Sequence, residues 1–307
     1  MNQDVVHIVM ATYNGERFLR EQLESLLCQS YGNITIEICD DGSQDGTLDI
    51  AQEYLAKDRR VTLHQNEVNE GYVRNFLKGM KRSTAPYIMF CDQDDIWHKD
   101  KVERTLTKMK QTERAGKEIP VLVYTDAMNY DSDTGRELGR FHETSHLHTK
   151  KVDTAHLFME NKCIGCTVMV NRRMLSYLDE LPDEIRVHDW WLALIASHFG
   201  VIGYLSEPTL LYRQHGDNMI GGDTYHDYVR NRLSKVEKQR AVLKQTYRQG
   251  AAFLKCFRNE MSEEQIHIAE RFAELETSGW FGRRKRVIAN GFYKSGLVRN
   301  VGLMLLM

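Results

Sequence analysis

An α/β fold organised around a parallel sheet is what this 307-residue sequence predicts. Three observations carry that expectation. Short apolar runs alternate with helix-period stretches through the first ~110 residues. Each run ends in a cluster of Asp, Asn and Gly, where open α/β sheets bind their ligands. Past residue 222 the alternation stops and the chain reads as helix almost throughout.

The elements follow in order. Residues 5–10 are an apolar, β-branched run and form the first predicted strand. Residues 15–29 read as a helix with Phe18, Leu19, Leu23, Leu26 and Leu27 along one stripe. Residues 34–39 are a second strand, after which Asp45 suits the N-cap of a helix over 47–56. A third strand spans 61–64, a helix 72–81 and a fourth strand 87–91. The middle is less regular. It holds predicted strands over 121–124, 166–170, 201–205 and 209–215, a helix over 190–199 and a polar, loop-like stretch over 131–153. Gly221-Gly222 closes the α/β unit, residues 1–222. In the helical extension, residues 223–307, Val229, Leu233, Val236, Leu243, Tyr247, Leu254 and Phe257 form an amphipathic stripe that offers a face for self-association. Ser262-Glu263-Glu264-Gln265 matches a capping box.

Composition narrows the class. Apolar residues are 42% and charged residues 27%, enough for a sizeable core. A net charge of −2 argues against a duplex nucleic-acid partner. No apolar stretch reaches the ~18 residues of a membrane span. The first residues lack the basic and apolar regions of a secretion signal, so a cytoplasmic protein is expected. Six scattered cysteines then read as reduced thiols. Cys163 and Cys166 have C-x-x-C spacing, but without a second pair a structural zinc is not expected. His142, His146 and His148 lie in the polar stretch and read as part of a loop near a substrate. The glycine-rich dinucleotide and P-loop patterns are absent, which lowers dehydrogenase and ATPase readings.

The densest chemistry sits at residues 87–95. An apolar run ends there in Asp92-Gln93-Asp94-Asp95. If the strand extends, Asp92 and Asp94 point the same way. Such packed negative charge is costly unless a cation neutralises it. Hard oxygen ligands suit Mg²⁺ or Mn²⁺, which bridge carboxylates to phosphates. A plain solvated turn would carry the same residues, as would Asp40-Asp41-Gly42-Ser43 at the second strand's end.

Taken in order, Ala11-Thr12-Tyr13-Asn14-Gly15, Asp40 to Gly46, Asn69-Glu70-Gly71-Tyr72 and Asp92-Gln93-Asp94-Asp95 are far more specific. With His188-Asp189-Trp190-Trp191 and Tyr212-Arg213-Gln214-His215-Gly216, they resemble the inverting nucleotide-sugar glycosyltransferases of family 2. Asp-Gln-Asp-Asp-Ile-Trp with Tyr-Arg-Gln-His-Gly is most similar to the bacterial rhamnosyltransferase-like branch of polysaccharide synthesis. The resemblance covers residues 1–222 and implies an A-type glycosyltransferase fold with a Rossmann-like nucleotide half. It implies a UDP- or dTDP-sugar donor, with rhamnose favoured by the likeness alone, and a glycan or lipid-linked glycan acceptor.

Roles follow residue by residue from that resemblance. Asp41 would accept the N3–H of a uracil or thymine ring, Tyr13 would face the base, and backbone at Ala11 and Thr12 would meet its carbonyls. Asn14, Glu16, Asn69, Gly71, Asn75 and Gln93 complete the nucleotide site, with Asp92 near the ribose. Asp94, with His215, would hold Mn²⁺ or Mg²⁺ against the diphosphate. Asp189 would be the general base, since inverting transfer needs one carboxylate to take the acceptor's proton. Asp95, Trp97, Gly165, Cys166, His188, Trp190, Trp191 and Arg213 would surround donor sugar and acceptor. Many relatives carry Glu-Asp where this chain has His188-Asp189, which leaves His188 to orient Asp189 or to touch the acceptor. A nucleotidyltransferase and a non-catalytic nucleotide-sugar or glycan-binding protein are the alternatives. The missing basic, glycine-rich phosphate loop weighs against the first, the intact Asp92, Asp94 and Asp189 against the second.

Residues 279–307 contain six Lys and Arg and no Asp or Glu. Trp280, Phe281, Phe292, Tyr293 and an apolar terminus accompany them. Basic and aromatic residues mixed in this way suit an anionic membrane surface, placing the protein on the inner face of the cell membrane. A helix docked on its own domain with a solvated basic face is the other reading.

Overall fold

The computed structural model describes residues 4–114, 116, 118–214 and 236–307. The first part repeats strand and helix: β1 (Val6–Thr12), α1 (Leu19–Leu27), β2 (Ile34–Asp40), α2 (Thr47–Lys57), β3 (Val61–Gln65), α3 (Tyr72–Arg82) and β4 (Tyr87–Cys91). β1 pairs in parallel with β2 and β4, and β2 with β3, so the spatial order is β3-β2-β1-β4. Next come β5 (Ile96–Trp97), α4 (Lys101–Glu113), β6 (Val121–Asp131), β7 (Arg136–Arg140), α5 (Phe141–Thr144) and α6 (Thr154–Met159). β8 (Val168–Asn171), α7 (His188–Phe199) and β9 (Val201–Gln214) complete this part. β8 runs antiparallel between β4 and β6, and β6 is parallel to β9. The result is a mixed sheet, nine-stranded among the described residues, with parallel strands at the nucleotide-type end.

Several elements depart from the sequence reading. α1 begins at Leu19, because Gly15 to Phe18 form a turn in which the Gly15 carbonyl accepts from the amides of Phe18 and Leu19, both at 3.1 Å. The stretch 131–153 is not all loop: β7 pairs with the extended end of β6, and α5 follows. Its polar sequence hid the strand because β7 is almost wholly exposed. Residues 201–205 and 209–214 belong to one strand, β9, whose pairing with β6 shifts register where Pro208 faces Asp126. Proline is tolerated in a strand at such an irregularity and made the run read as two. β5, α4 and α6 were not foreseen. Gly221-Gly222, Val229, Leu233 and His215 lie outside the described residues.

The extension comprises α8 (Val236–Phe257), α9 (Glu263–Ala273), α10 (Trp280–Asn290) and α11 (Leu297–Leu306). Ser262 and Gln265 form the expected capping box, each side chain bonding the other's backbone amide. Apolar layers cover both faces of the sheet. One, containing Ile8, Leu23, Ile36 and Met109, lies under α1 and α4. The other joins Phe76, Phe90 and Trp191 to Phe253, Phe257, Phe272, Phe292 and Leu303 of the extension. The amphipathic stripe of α8 is therefore largely buried within its own chain.

Candidate active site

Parallel pairing places the carboxyl ends of β1 to β4 side by side, with Thr12 opposite Asp40 and Asp40 opposite Gln65. The two adjacent acids of β2 divide the work. Asp40 builds the turn: its carboxylate accepts from Thr12 Oγ1 at 3.0 Å, the amides of Gly42 and Ser43 at 3.1 and 3.0 Å, and Ser43 Oγ at 2.5 Å. Asp41 faces the cleft and accepts from Asn66 Nδ2 and the Glu70 amide at 2.9 Å and the Gly71 amide at 2.8 Å. A carboxylate has about four acceptor sites, so capacity remains for one more donor.

Gln93 clamps the first loop, accepting from the Tyr13 amide at 2.9 Å and donating to the Tyr13 carbonyl at 3.1 Å. A Cβ at position 15 would stand 2.2 Å from Gln93 Oε1, so a larger residue there would displace this clamp. Tyr13 is left 47% exposed at the cleft's edge, a flat face open to a base. Asn14 and Glu16 point elsewhere. Asn14 Oδ1 accepts from the Gln44 amide at 2.8 Å and a Glu16 oxygen from the Gly46 amide at 2.7 Å, tying the first loop to the second. Asn75 supports the floor by donating to the Cys39 carbonyl at 2.6 Å.

One cleft of about 1070 Å³ gathers Ala11, Thr12, Tyr13, Asp41, Asn69, Gly71, Asn75, Asp92, Gln93 and Asp94 with Gly165, His188 and Asp189. Asp189 lies in the first turn of α7, its Oδ1 accepting from the Trp190 amide at 2.7 Å. Burial pushes its carboxyl up to about 7, although Trp190, Asn161 and Gly165 donate to it. That value suits a base at neutral pH. Asp92 is also pushed up to about 7, by burial and then by the charges of Asp94 and Asp189. The two ends of the sequence pattern thus share one electrostatic field.

His188 stacks on Phe76 at 4.2 Å between ring centres and lies 5.0 Å from Phe90. Burial drives its ring down to about 3, so it is neutral, and neither nitrogen has a hydrogen-bond partner among the described residues. A Cβ at Gly165 would meet His188 Nε2 at 2.8 Å, so only glycine lets this segment approach.

The carboxylate cluster offers a fit for a divalent ion. Asp92, Asp95 and Cys166 place ligand atoms within 4.8 Å of one another, and Asp94 lines the same cleft. Burial and the charges of Asp94 and Asp92 raise Asp95 well above the carboxylate range. A bound cation would remove that repulsion. Burial raises Cys166 too, so its neutral thiol is a poor partner for a hard ion. His215 lies outside the described residues.

Other expected pocket residues are placed as supports. Arg213 donates from Nε to the Asp94 carbonyl at 2.7 Å, from Nη2 to Glu21 at 2.5 Å and from its backbone amide to Asp95 at 3.3 Å, bracing the acidic loop from behind. Trp190 donates Nε1 to the Leu157 carbonyl at 2.5 Å. Trp191 is fully buried against Phe253 and Phe257. Trp97 is buried with Lys101 Nζ 4.6 Å from its ring centre. Asp95, Trp97, Cys166, Trp190, Trp191 and Arg213 lie outside the cleft's described lining. His142 is buried in α5, its ring bonding Asp126 at 2.8 Å and the Lys162 carbonyl at 3.0 Å, which is a structural role.

The sequence reading missed Lys101, Tyr72 and Arg186. Lys101 is wholly buried, donates to Thr209 Oγ1 at 3.0 Å, and is lowered to about 8 by burial. One local signal existed, since a cation in the first turn of a helix opposes the helix dipole. Tyr72 and Arg186 line the cleft, as do Gln245 and Arg248 of α8. Tyr72 ends the Asn69-Glu70-Gly71-Tyr72 motif without having been assigned a role, and no motif marks the other three.

Comparison with known proteins agrees with this geometry. Residues 7–175, over half the chain, match the model of glycosyl transferase family 2. The chain is 30% identical over 243 residues to dTDP-rhamnosyl transferase RfbG of Shigella flexneri, covering 75% of this chain and 80% of that one. It is 30% identical over 212 residues to the putative teichuronic acid biosynthesis glycosyltransferase TuaG of Bacillus subtilis, covering 68% and 79%. Among solved structures, S. aureus TarS 1-349 in complex with UDP-GlcNAc superposes with a TM-score of 0.58 at 16% identity, over 92% of this chain and 72% of that one. Mannosyltransferase PcManGT of Pyrobaculum calidifontis, in complex with GDP-Man and Mn²⁺, gives 0.55 at 14% identity, over 99% and 79%. At such identities these two establish the fold alone. The chain belongs to glycosyl transferase family 2 and has the A-type fold of these enzymes.

Proposed function

We propose that the chain moves a sugar from a UDP- or dTDP-linked donor onto a growing surface polysaccharide, inverting the anomeric centre. The observation that carries this reading is the single cleft lined by Tyr13, Asp41 and Asp92 together with Asp189. The relative RfbG is named for dTDP-rhamnose and TuaG for teichuronic acid synthesis, which makes dTDP-rhamnose the first donor to try.

In the proposed reaction Asp41 accepts from the base and Tyr13 stacks on it, fixing the donor. Asp189 takes the acceptor hydroxyl's proton as that oxygen bonds to the anomeric carbon. The bond from that carbon to the diphosphate breaks, and its electron pair leaves with the nucleoside diphosphate. Asp94, with Asp92, would hold Mn²⁺ or Mg²⁺, which supplies positive charge to the departing diphosphate when bound. His188, neutral and without a hydrogen-bond partner among the described residues, offers a hydrogen bond to a sugar hydroxyl. The acceptor is proposed to be lipid-linked and presented at the cytoplasmic face of the membrane.

A thermal-shift screen of UDP-, dTDP- and GDP-sugars tests the donor, since a ligand that binds the folded state raises its melting point. Release of nucleoside diphosphate is then followed with Mn²⁺, Mg²⁺ or EDTA. Asp94→Ala is expected to cut turnover by roughly 100-fold or more with the fold retained. Full activity in EDTA would remove the metal, and a screen without a stabilising nucleotide-sugar would remove the donor reading.

A further inference from the structure

We propose that the outer surface of α10 and α11 docks on an anionic lipid bilayer. Large exposed apolar side chains are concentrated there. Trp280, Phe281, Ile288, Leu297, Val301 and Leu305 are all exposed, with Phe281 at 82% and Leu297 at 80%. Their spacing explains the surface. Phe281 and Ile288 are seven residues apart and flank Lys285 on one helical face. Leu297, Val301 and Leu305 recur every four residues on the next helix. The opposite faces are committed to the core through Val287 on α10 and Leu303 on α11, both almost fully buried. Arg284 bonds the Met304 carbonyl and holds the two helices together. Apolar stripes that remain outside after both helices have docked are not an unfinished core. They are a second face.

The charge on this face selects its partner. Residues 279–307 hold no carboxylate side chain. Besides Arg284, three of their six cations are occupied inside the fold. Arg286 pairs with Glu274 and Arg299 with Glu160, both at 2.7 Å, and Arg283 caps the Leu275 and Ser278 carbonyls at 2.8 and 2.9 Å. Lys285 stands exposed between Phe281 and Ile288, and Arg284 lies over the Trp280 ring at 3.6 Å. Aromatic and aliphatic side chains interleaved with cations and free of acids match the interfacial zone of an anionic bilayer. No helix among the described residues is long and apolar enough to cross a membrane, so the contact is peripheral.

Trp280 provides an internal probe. It is 56% exposed, whereas Trp97, Trp190 and Trp191 are buried. The full chain is mixed with vesicles of phosphatidylcholine alone or with about one third phosphatidylglycerol, then sedimented and read by tryptophan emission. Expected are co-sedimentation with the anionic vesicles, at least roughly tenfold weaker partition to the neutral ones, and weakening by salt. A blue shift that Trp280→Phe abolishes is expected as well. The triple variant Phe281→Ser, Leu297→Ser, Val301→Ser should lose binding at least tenfold with an unchanged melting point, because these side chains contribute no core packing. Absence of binding to anionic vesicles, or binding indifferent to the triple variant, overturns the proposal. So does a dimer that the triple variant dissociates while lipid binding stays absent, because a second copy would then cover the face. None of these readouts needs a sugar donor, so the outcome is independent of the chemistry proposed for the cleft.

Discussion

Asp189 has a chemical environment that its neighbours in sequence only partly announce. Two tryptophans after it imply desolvation, yet neither lines the cleft. The burial that raises its proton affinity comes from packing of the whole segment. A carboxyl near 7 must lose its proton to act as base, so turnover should rise with pH through about 7. Asp189→Asn should lower turnover by roughly 10²–10⁴-fold while donor binding persists, and near-normal turnover would remove Asp189 from the role. Stability has the opposite sign. The folded pKa lies above the ordinary 3.8, so the folded state holds a proton that the unfolded chain releases. Stability is then lost as pH rises from about 4 to about 7. The melting-point difference between Asp189→Asn and the parent should therefore shift in favour of the variant by a few degrees between pH 5 and 8. A pH-independent difference, measured calorimetrically, would contradict the assignment.

At the scale of elements, α11 is tied to the segment that bonds Asp189. Glu160 accepts from Arg299 and from the Ser295 amide, both at 2.7 Å, and pairs with fully buried Lys162, which also reaches Ser295 Oγ at 2.5 Å. Burial alone would raise Glu160, but the charges of Lys162 and Arg299 hold it down to about 2. The adjacent Asn161 donates to Asp189. Removing one cation leaves a buried network half-compensated, so Arg299→Ala should cost roughly 3 kcal/mol. Denaturant unfolding measures this, and a change below about 0.5 kcal/mol would show the cluster to be dispensable. The strand-end loops at residues 11–16, 40–46 and 92–95 were legible because each carries its own turn chemistry within a few residues. β7 and the unity of β9 were not, since each depends on pairing with β6.

Across the whole molecule, the extension and the α/β part share one apolar cluster. A chain ending at Ser278 would lose Phe292 and Leu303 from that cluster and Arg299 from Glu160. It should melt roughly 10 °C lower or fail to stay soluble, given burial worth about 2 kcal/mol per large side chain. Unchanged melting would show that the last two helices pack without contributing stability. The basic tail illustrates the same dependence. Six cations were countable in the sequence, but only packing reveals that Arg283, Arg286 and Arg299 are turned inward.

By itself the sequence determined the strand-and-helix alternation of the first half and the family, because apolar period and turn chemistry act over a few residues. It also determined which acids stand at strand ends. Tertiary structure alone decided which of those acids face the cleft: Asp41 looks in while Asp40 braces the turn. It also decided that Arg213 and Trp191 are supports. Burial and the proximity of charge belong to residues distant in the chain, and those two quantities set the proton affinities on which the proposed chemistry rests.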